Sequence, residues 1–244
     1  MKKKINLSLN CSKIIRKRKE IKYVVIHYTG MQSEIESLKR LKNPKSKVSA
    51  HYLIDRRGFI TQLVKDEKIA WHAGKSKWKN YKNLNKNSIG IELVNKGHKF
   101  GYQNFTNIQI RNLLKLCKHL KKKYRIKKEN FLGHSDIAPL RKKDPGEKFP
   151  WKMMSKHNFG TWYQKEKEKI HYLDKKKMEN IFFENIFKIG YRYFSVKKRH
   201  KNDRNIIKIF QQRYLPKKIT GKIDPNTLKI SSLLADKVSL EKSN

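Results

Sequence analysis

Residues 22–28 read Lys-Tyr-Val-Val-Ile-His-Tyr (KYVVIHY). No polar side chain interrupts Tyr23–Ile26. A strand with one wet face alternates, so this run predicts a central strand covered on both faces. It ends in His27. Downstream, Ser88–Val94 (SIGIELV) predicts another strand, with Ile89, Ile91 and Leu93 on one face and Gly90, Glu92 and Val94 on the other. Between them, Ser33–Leu41 reads as a short helix ended near Pro44, and His51–Val64 (HYLIDRRGFITQLV) as a hairpin turning at Asp55–Gly58. Thr106 and Gln109 have capping-box spacing. They open a helix with the apolar stripe Ile110, Leu113, Leu114, Cys117, Leu120 and Tyr124. A short strand, Asn130–Gly133, precedes a loop rich in proline and charge, Ser135–Trp151. Strands alternating with helices predict an α/β domain over residues 20–160, a central mixed β-sheet flanked by helices.

Residues 1–19 read as a basic N-terminal extension and 161–171 as a charged connector, its lysine-rich character running on to Lys177. From 172 to 240 the pattern is purely helical. Met178, Ile181, Phe182, Ile186 and Ile189 form one stripe; Ile206, Ile207, Phe210 and Tyr214 form a second. Asp224-Pro225 is an N-cap with proline at the first helical position, opening a third stripe of Leu228, Ser231, Leu234 and Val238. These predict a small all-α domain of three helices that folds as a separate unit.

The chain of 244 residues carries 61 Lys+Arg against 20 Asp+Glu, a net charge of +41. Such a charge attracts anionic partners and says nothing about fold. Compositional bias toward Lys, Asn and Ile accounts for it equally well. The basic residues are spread in short runs such as Lys121–Lys123, whereas a nucleic-acid reader concentrates them on one element. No stretch approaches the ~18 apolar residues of a membrane span. Cys11 and Cys117 make no disulfide framework, and Cys117 falls on a buried helix face. Residues 1–13 lack the apolar run of a secretory signal, and Asn10 is the wrong neighbour for a lipoprotein cysteine. A monomer without export signal is expected, in the cytoplasm rather than the periplasm.

Polar residues at strand ends carry the chemistry. His27 ends the first strand, His134 follows the short strand, and Asp144 lies in the loop beyond it. Two histidines and a carboxylate meet the need of a catalytic zinc site, three ligands and one open position. By spacing alone this stays weak.

The words VVIHYTG, VSAHYLIDRRG, AWHAG, SIGIELVN and GHSDIAPLRKKDPGEKFPW occur here in that order. Together, over residues 21–152, they resemble the amidase-2 family of N-acetylmuramoyl-L-alanine amidases. The resemblance implies Zn2+ held by His27, His134 and Asp144, where some members have cysteine at the third position. It implies Glu92 and Lys142 as the catalytic pair. It also implies a substrate groove around Trp71 and His72, with His72 on the peptide stem. Trp71 suits packing equally well; Tyr52 and His51 are further candidates, His51 more as a supporting residue. His98, His119, His157, His171 and His200 read as surface residues. The segment IIKIFQQRYLPKKITGKIDPNTLKISSLL (206–234) resembles the type 1 peptidoglycan-binding domain at Phe210, Gln211, Gly221, Asp224 and Thr227.

The implied activity is hydrolysis of the amide joining N-acetylmuramic acid, or its 1,6-anhydro form, to L-alanine in peptidoglycan or muropeptides. The roles are physically sound. Zinc lowers the pKa of a water toward 7. A carboxylate such as Glu92 can take the water's proton and deliver it to the departing amine, and a Lys142 ammonium can stabilise the oxyanion. A non-catalytic peptidoglycan-binding protein is one rival, opposed by the presence of all five site residues. A nucleic-acid-binding protein is another, motivated by charge alone.

Overall fold

The structure, a computed structural model, describes residues 3–164 and 174–243, the last three by backbone only. His171 and most of the charged connector lie outside the described residues. In chain order the elements are β1 (Lys4–Ile5), β2 (Tyr23–Tyr28), α1 (Glu34–Lys42), β3 (Tyr52–Ile54), β4 (Ile60–Gln62), β5 (Lys77–Trp78), β6 (Tyr81–Lys82), β7 (Ser88–Leu93), α2 (Asn107–Tyr124), β8 (Phe131–Gly133), α3 (His134–Ile137), α4 (Trp151–Lys156), α5 (Lys175–Ile189), α6 (Asp203–Tyr214) and α7 (Pro225–Ser243).

Six strands form one mixed sheet in the order β1-β4-β3-β7-β2-β8. Within this sheet β3 and β4, the expected hairpin, pair antiparallel and the other described pairs are parallel; β5 and β6 form a separate antiparallel pair. KYVVIHY occupies the interior, between β7 and β8, and Tyr23–His27 are all buried. Its alternate side chains serve two cores. Val24 and Ile26 join Ile89, Ile91 and Leu93 against the α2 stripe of Ile110, Leu113, Cys117 and Leu120. Tyr23 and Val25 point the other way, toward Phe182, Ile186, Phe210 and Leu234 of the C-terminal helices. His27 follows Val25 in parity and lies on that second face. Cys117 is fully buried, as its place in the stripe predicts.

Several local expectations change. The Thr106 hydroxyl accepts from Gln109 N, so the N-cap forms. The reciprocal half of the capping box does not, because the buried Gln109 amide instead donates to Ile54 O and Val94 O. The basic N-terminal extension is packed on the sheet from residue 3 onward: β1 pairs parallel with β4, Ile15 bridges Lys68, and Arg16 is 2% exposed. The Arg16 guanidinium donates to Asp66 O, Asn85 O and Ser88 O, so its burial is satisfied. The loop after β8 starts with a helical turn, α3.

The C-terminal helices form a cluster whose three helices match the three stripes. Asp224 caps α7 by accepting from Thr227 N. The cluster's apolar core is continuous with one sheet face. A buried polar key joins the two as well: Asp136 of α3 accepts from Arg213 of α6 and from the Tyr191 hydroxyl, the latter at 2.8 Å. Arg213 also lies over the Trp151 ring, 3.8 Å from its centroid.

Candidate functional site

β2 and β7 run parallel with His27 opposite Glu92. Parity then places Ser88, Gly90 and Glu92 on the His27 side of the sheet. His134 enters the same space as the first residue after β8. Ser135 N donates to Asp144 O at 2.8 Å, which folds the loop back and returns Asp144 to His134. His27 Nδ1 lies 2.9 Å from His134 Nδ1, and each nitrogen lies 3.0 Å from Asp144 Oδ2. All three side chains are buried, and they can present one ligand atom each to a single ion.

The protonation states suit a cation. Burial disfavours the charged form of His27, and the neighbouring His134 adds to this, taking its pKa to about 4 against the pull of Asp144. Burial alone would raise Asp144, but the His134 and His27 imidazoles outweigh it and hold the carboxyl well below the usual range. His134 Nε2 lies 3.1 Å from the Ala73 carbonyl and 3.3 Å from Arg141 Nη2; the nearer carbonyl favours the tautomer whose Nδ1 lone pair faces the cluster. Imidazole nitrogen beside ionised carboxylate, at the buried edge of an open cleft, is a donor set that fits zinc.

Glu92 is 8% exposed, and its Oε2 is buried without a hydrogen-bond partner. Burial, and then the Asp144 charge, push its pKa up to about 8, partly offset by Lys142. Lys142 is half-buried in a turn closed by its N–H to Ala138 O. It sits between two clefts. One, of about 550 Å³, is lined by Lys47, Trp71, His72, Asn85, His134 and Arg141. The other, of about 390 Å³, is lined by His98 and Glu147 and by Asn205, Lys208 and Gln212 of α6.

The four groove candidates separate. Trp71 is half-buried on the larger cleft. His72 touches that cleft but is 6% exposed, with one ring nitrogen on His27 and the other on Ser88. His51 is fully buried behind it, its Nδ1 accepting from Gly90 N and its Nε2 against Lys68 O. Burial and the adjacent Arg16 lower its pKa to about 3. Tyr52, one residue on, faces the opposite side of the sheet, where its hydroxyl donates to Asp66 at 2.6 Å. Strand alternation keeps it away from the cleft.

Sequence reasoning missed Arg141, Asn85, Ser88 and the pair His98–Glu147. Arg141 donates to Ala73 O and Lys75 O, tying the Asp144 loop to the Trp71–Gly74 segment. Asn85 Oδ1 accepts from both His72 N and Ala73 N. His98, on the surface as expected, bonds Glu147 at 3.0 Å and the Tyr28 hydroxyl at 2.9 Å. Arg141 was hidden among many basic residues, and the others carry no signal a single sequence displays.

Residues 17–147 match the family model for N-acetylmuramoyl-L-alanine amidases, Amidase_2. The N-acetylmuramoyl-L-alanine amidase AmiD of Escherichia coli is 33% identical over 232 residues, 89% of this chain and 83% of its own length. The 1,6-anhydro-N-acetylmuramyl-L-alanine amidase AmpD of Haemophilus influenzae is 43% identical over 106 residues, 43% of this chain and 55% of its own. The solved complex of E. coli AmiD with anhydro-N-acetylmuramic acid-L-Ala-D-γ-Glu-L-Lys superimposes with a TM-score of 0.78 at 32% identity, covering 93% of this chain and 92% of that one. AmpDh3 of Pseudomonas aeruginosa with anhydromuramic pentapeptide gives 0.77 at 30% identity, covering 93% and 94%.

Proposed function

The chain belongs to the N-acetylmuramoyl-L-alanine amidase family, Amidase_2, and from that membership we propose that it cleaves the amide between N-acetylmuramic acid, or its 1,6-anhydro form, and L-alanine. The observation that carries the proposal is the convergence of His27, His134 and Asp144 on the sheet face that also holds the buried Glu92. The three residues would hold zinc. When bound, zinc supplies Lewis acidity toward water and toward the amide carbonyl.

The chain's own groups do the rest. Glu92 takes the proton of the attacking water and returns it to the departing alanine nitrogen. Its buried Oε2, which no other group engages among the described residues, is free to hold the proton between those events. Lys142 offers a fixed positive charge to the oxyanion. Lys47 and Arg141 on the larger cleft suit the carboxylates of a peptide stem.

The C-terminal helices are proposed to form one wall of the substrate path, through the cleft shared by Lys142 and α6. A separate wall-binding role rests on the resemblance alone. The matched residues bond one another: Gly221 N donates to Gln211 Oε1, and the Gln211 amide donates to Lys222 O and Thr227.

The test is mass spectrometry of products from a purified muropeptide, with and without the anhydro end. The expected pair is a peptide with free N-terminal L-alanine and a muramic acid with free lactyl carboxylate. Products cut at any other bond overturn the reading.

A further inference from the structure

Ser88 opens β7 on the same face as Glu92. Its hydroxyl donates to Leu84 O at 2.6 Å. A hydroxyl has one proton, so toward His72 Nε2, 3.1 Å away, Ser88 Oγ can only accept. The proton of a neutral His72 is therefore on Nε2, and its Nδ1 carries the lone pair. That lone pair lies 3.0 Å from His27 Nε2, which must then be the donor. With its proton on Nε2, His27 turns an unprotonated Nδ1 toward His134 and Asp144.

We propose that Ser88 and His72 form a relay, anchored at Leu84 O, that fixes the tautomer of His27 for metal binding. The proposal rests on the metal reading above. It makes both side chains positioning residues and gives His72 a role other than contact with the peptide stem.

The relay is built into the fold. The His72 ring fills the space over Gly90, where an added methyl group would run into it. Asn85 fixes the His72 backbone through Oδ1, and the His51 ring meets the His72 ring edge-on at 5.7 Å. His134 needs no relay, since the Ala73 carbonyl orients it directly. The two imidazoles of the site are thus oriented by different groups of the one segment that Asn85 holds. The partner of a metal-bound histidine typically matters 10- to 100-fold in metal affinity.

The test compares zinc-loaded wild type with Ser88→Ala, His72→Leu and His72→Gln. Long-range 1H–15N correlation of the imidazoles reads the tautomers, and chelator competition reads zinc affinity. In wild type the proton is expected on Nε2 of both His27 and His72. Ser88→Ala is expected to mix the His72 tautomers and weaken zinc about 10-fold, and His72→Leu about 10- to 100-fold. His72→Gln, whose amide can accept from His27 and donate to Ser88, is expected within a few-fold of wild type. Should His72→Leu fail to fold, Ser88→Ala decides, since it removes one oxygen. Equal zinc affinity in wild type, Ser88→Ala and folded His72→Leu overturns the relay, as does a wild type with the His72 proton on Nδ1. A wild type that takes up no zinc instead overturns the metal reading and the relay's purpose with it.

Discussion

Glu92 on β7 lies directly opposite His27 on β2 in the parallel register of the two central strands. Neighbouring strands are about 4.8 Å apart, and both side chains leave the same face. The proposed proton carrier and a candidate metal ligand are thereby fixed to adjacent rigid strands, and no loop has to bring them together.

Glu92→Gln is expected to keep the fold and the zinc and to lose turnover by about 10²- to 10⁴-fold, since an amide cannot carry the proton. Steady-state hydrolysis of a muropeptide, with zinc content measured on the same preparation, checks this. Wild-type turnover in the variant would remove Glu92 from the mechanism.

The raised pKa of Glu92 also has a stability consequence in the metal-free protein. With a folded value of about 8 against an ordinary 4.5, the folded chain binds more protons between those limits. Stability from this group is full below about pH 4.5 and is lost as pH rises through 8. Metal-free wild type should therefore lose stability relative to Glu92→Gln between pH 5 and 8. Denaturant melts of both proteins across that range measure it, and a difference that stays constant with pH would contradict the burial argument.

Lys142→Met is expected to lower turnover about 10- to 10³-fold, with zinc affinity nearly unchanged. Parallel measurement of turnover and chelator resistance separates an oxyanion role from a role in holding the metal loop. Loss of zinc together with activity would favour the latter.

Arg213→Met leaves the Asp136 carboxylate buried without its charge partner, which costs about 3–5 kcal/mol when one side of a buried pair is removed. Asp136 lies two residues from His134, so zinc retention should fall as well. Removing α5–α7 altogether should lower stability and the hydrolysis of soluble fragments together, because it uncovers Val25 and Leu132. A stable truncated chain with full activity on small muropeptides would instead establish the helices as a separate unit. Thermal melts and fragment hydrolysis on the truncated chain distinguish the two.

The strands of the site were legible because burial on both faces leaves an unbroken apolar run at Tyr23–Ile26, and because Ile89, Ile91 and Leu93 alternate along β7. The cluster of His27, His134 and Asp144 was legible from the words around these residues. Tyr52 was misplaced because a quoted word does not reveal alternation, although the hairpin reading contained it: if His51 faces the site, Tyr52 cannot. Arg16 was not legible because its burial depends on carbonyls some 50 to 70 positions away, and the exposed β1 because its partner β4 is equally distant in the chain. The strands β5 and β6 are two residues each, too short to show a period. The relay through Ser88 depends on which atom donates to Leu84 O, a fact of geometry that no residue type announces.

The most direct test of the account is a zinc titration of chelated protein read by muropeptide cleavage. Activity is expected to be absent after chelation, to return in proportion to added zinc and to saturate at one zinc per chain, with His134→Ala neither retaining zinc nor recovering. Full cleavage by the chelated chain, or a full equivalent of zinc bound by His134→Ala, would contradict it.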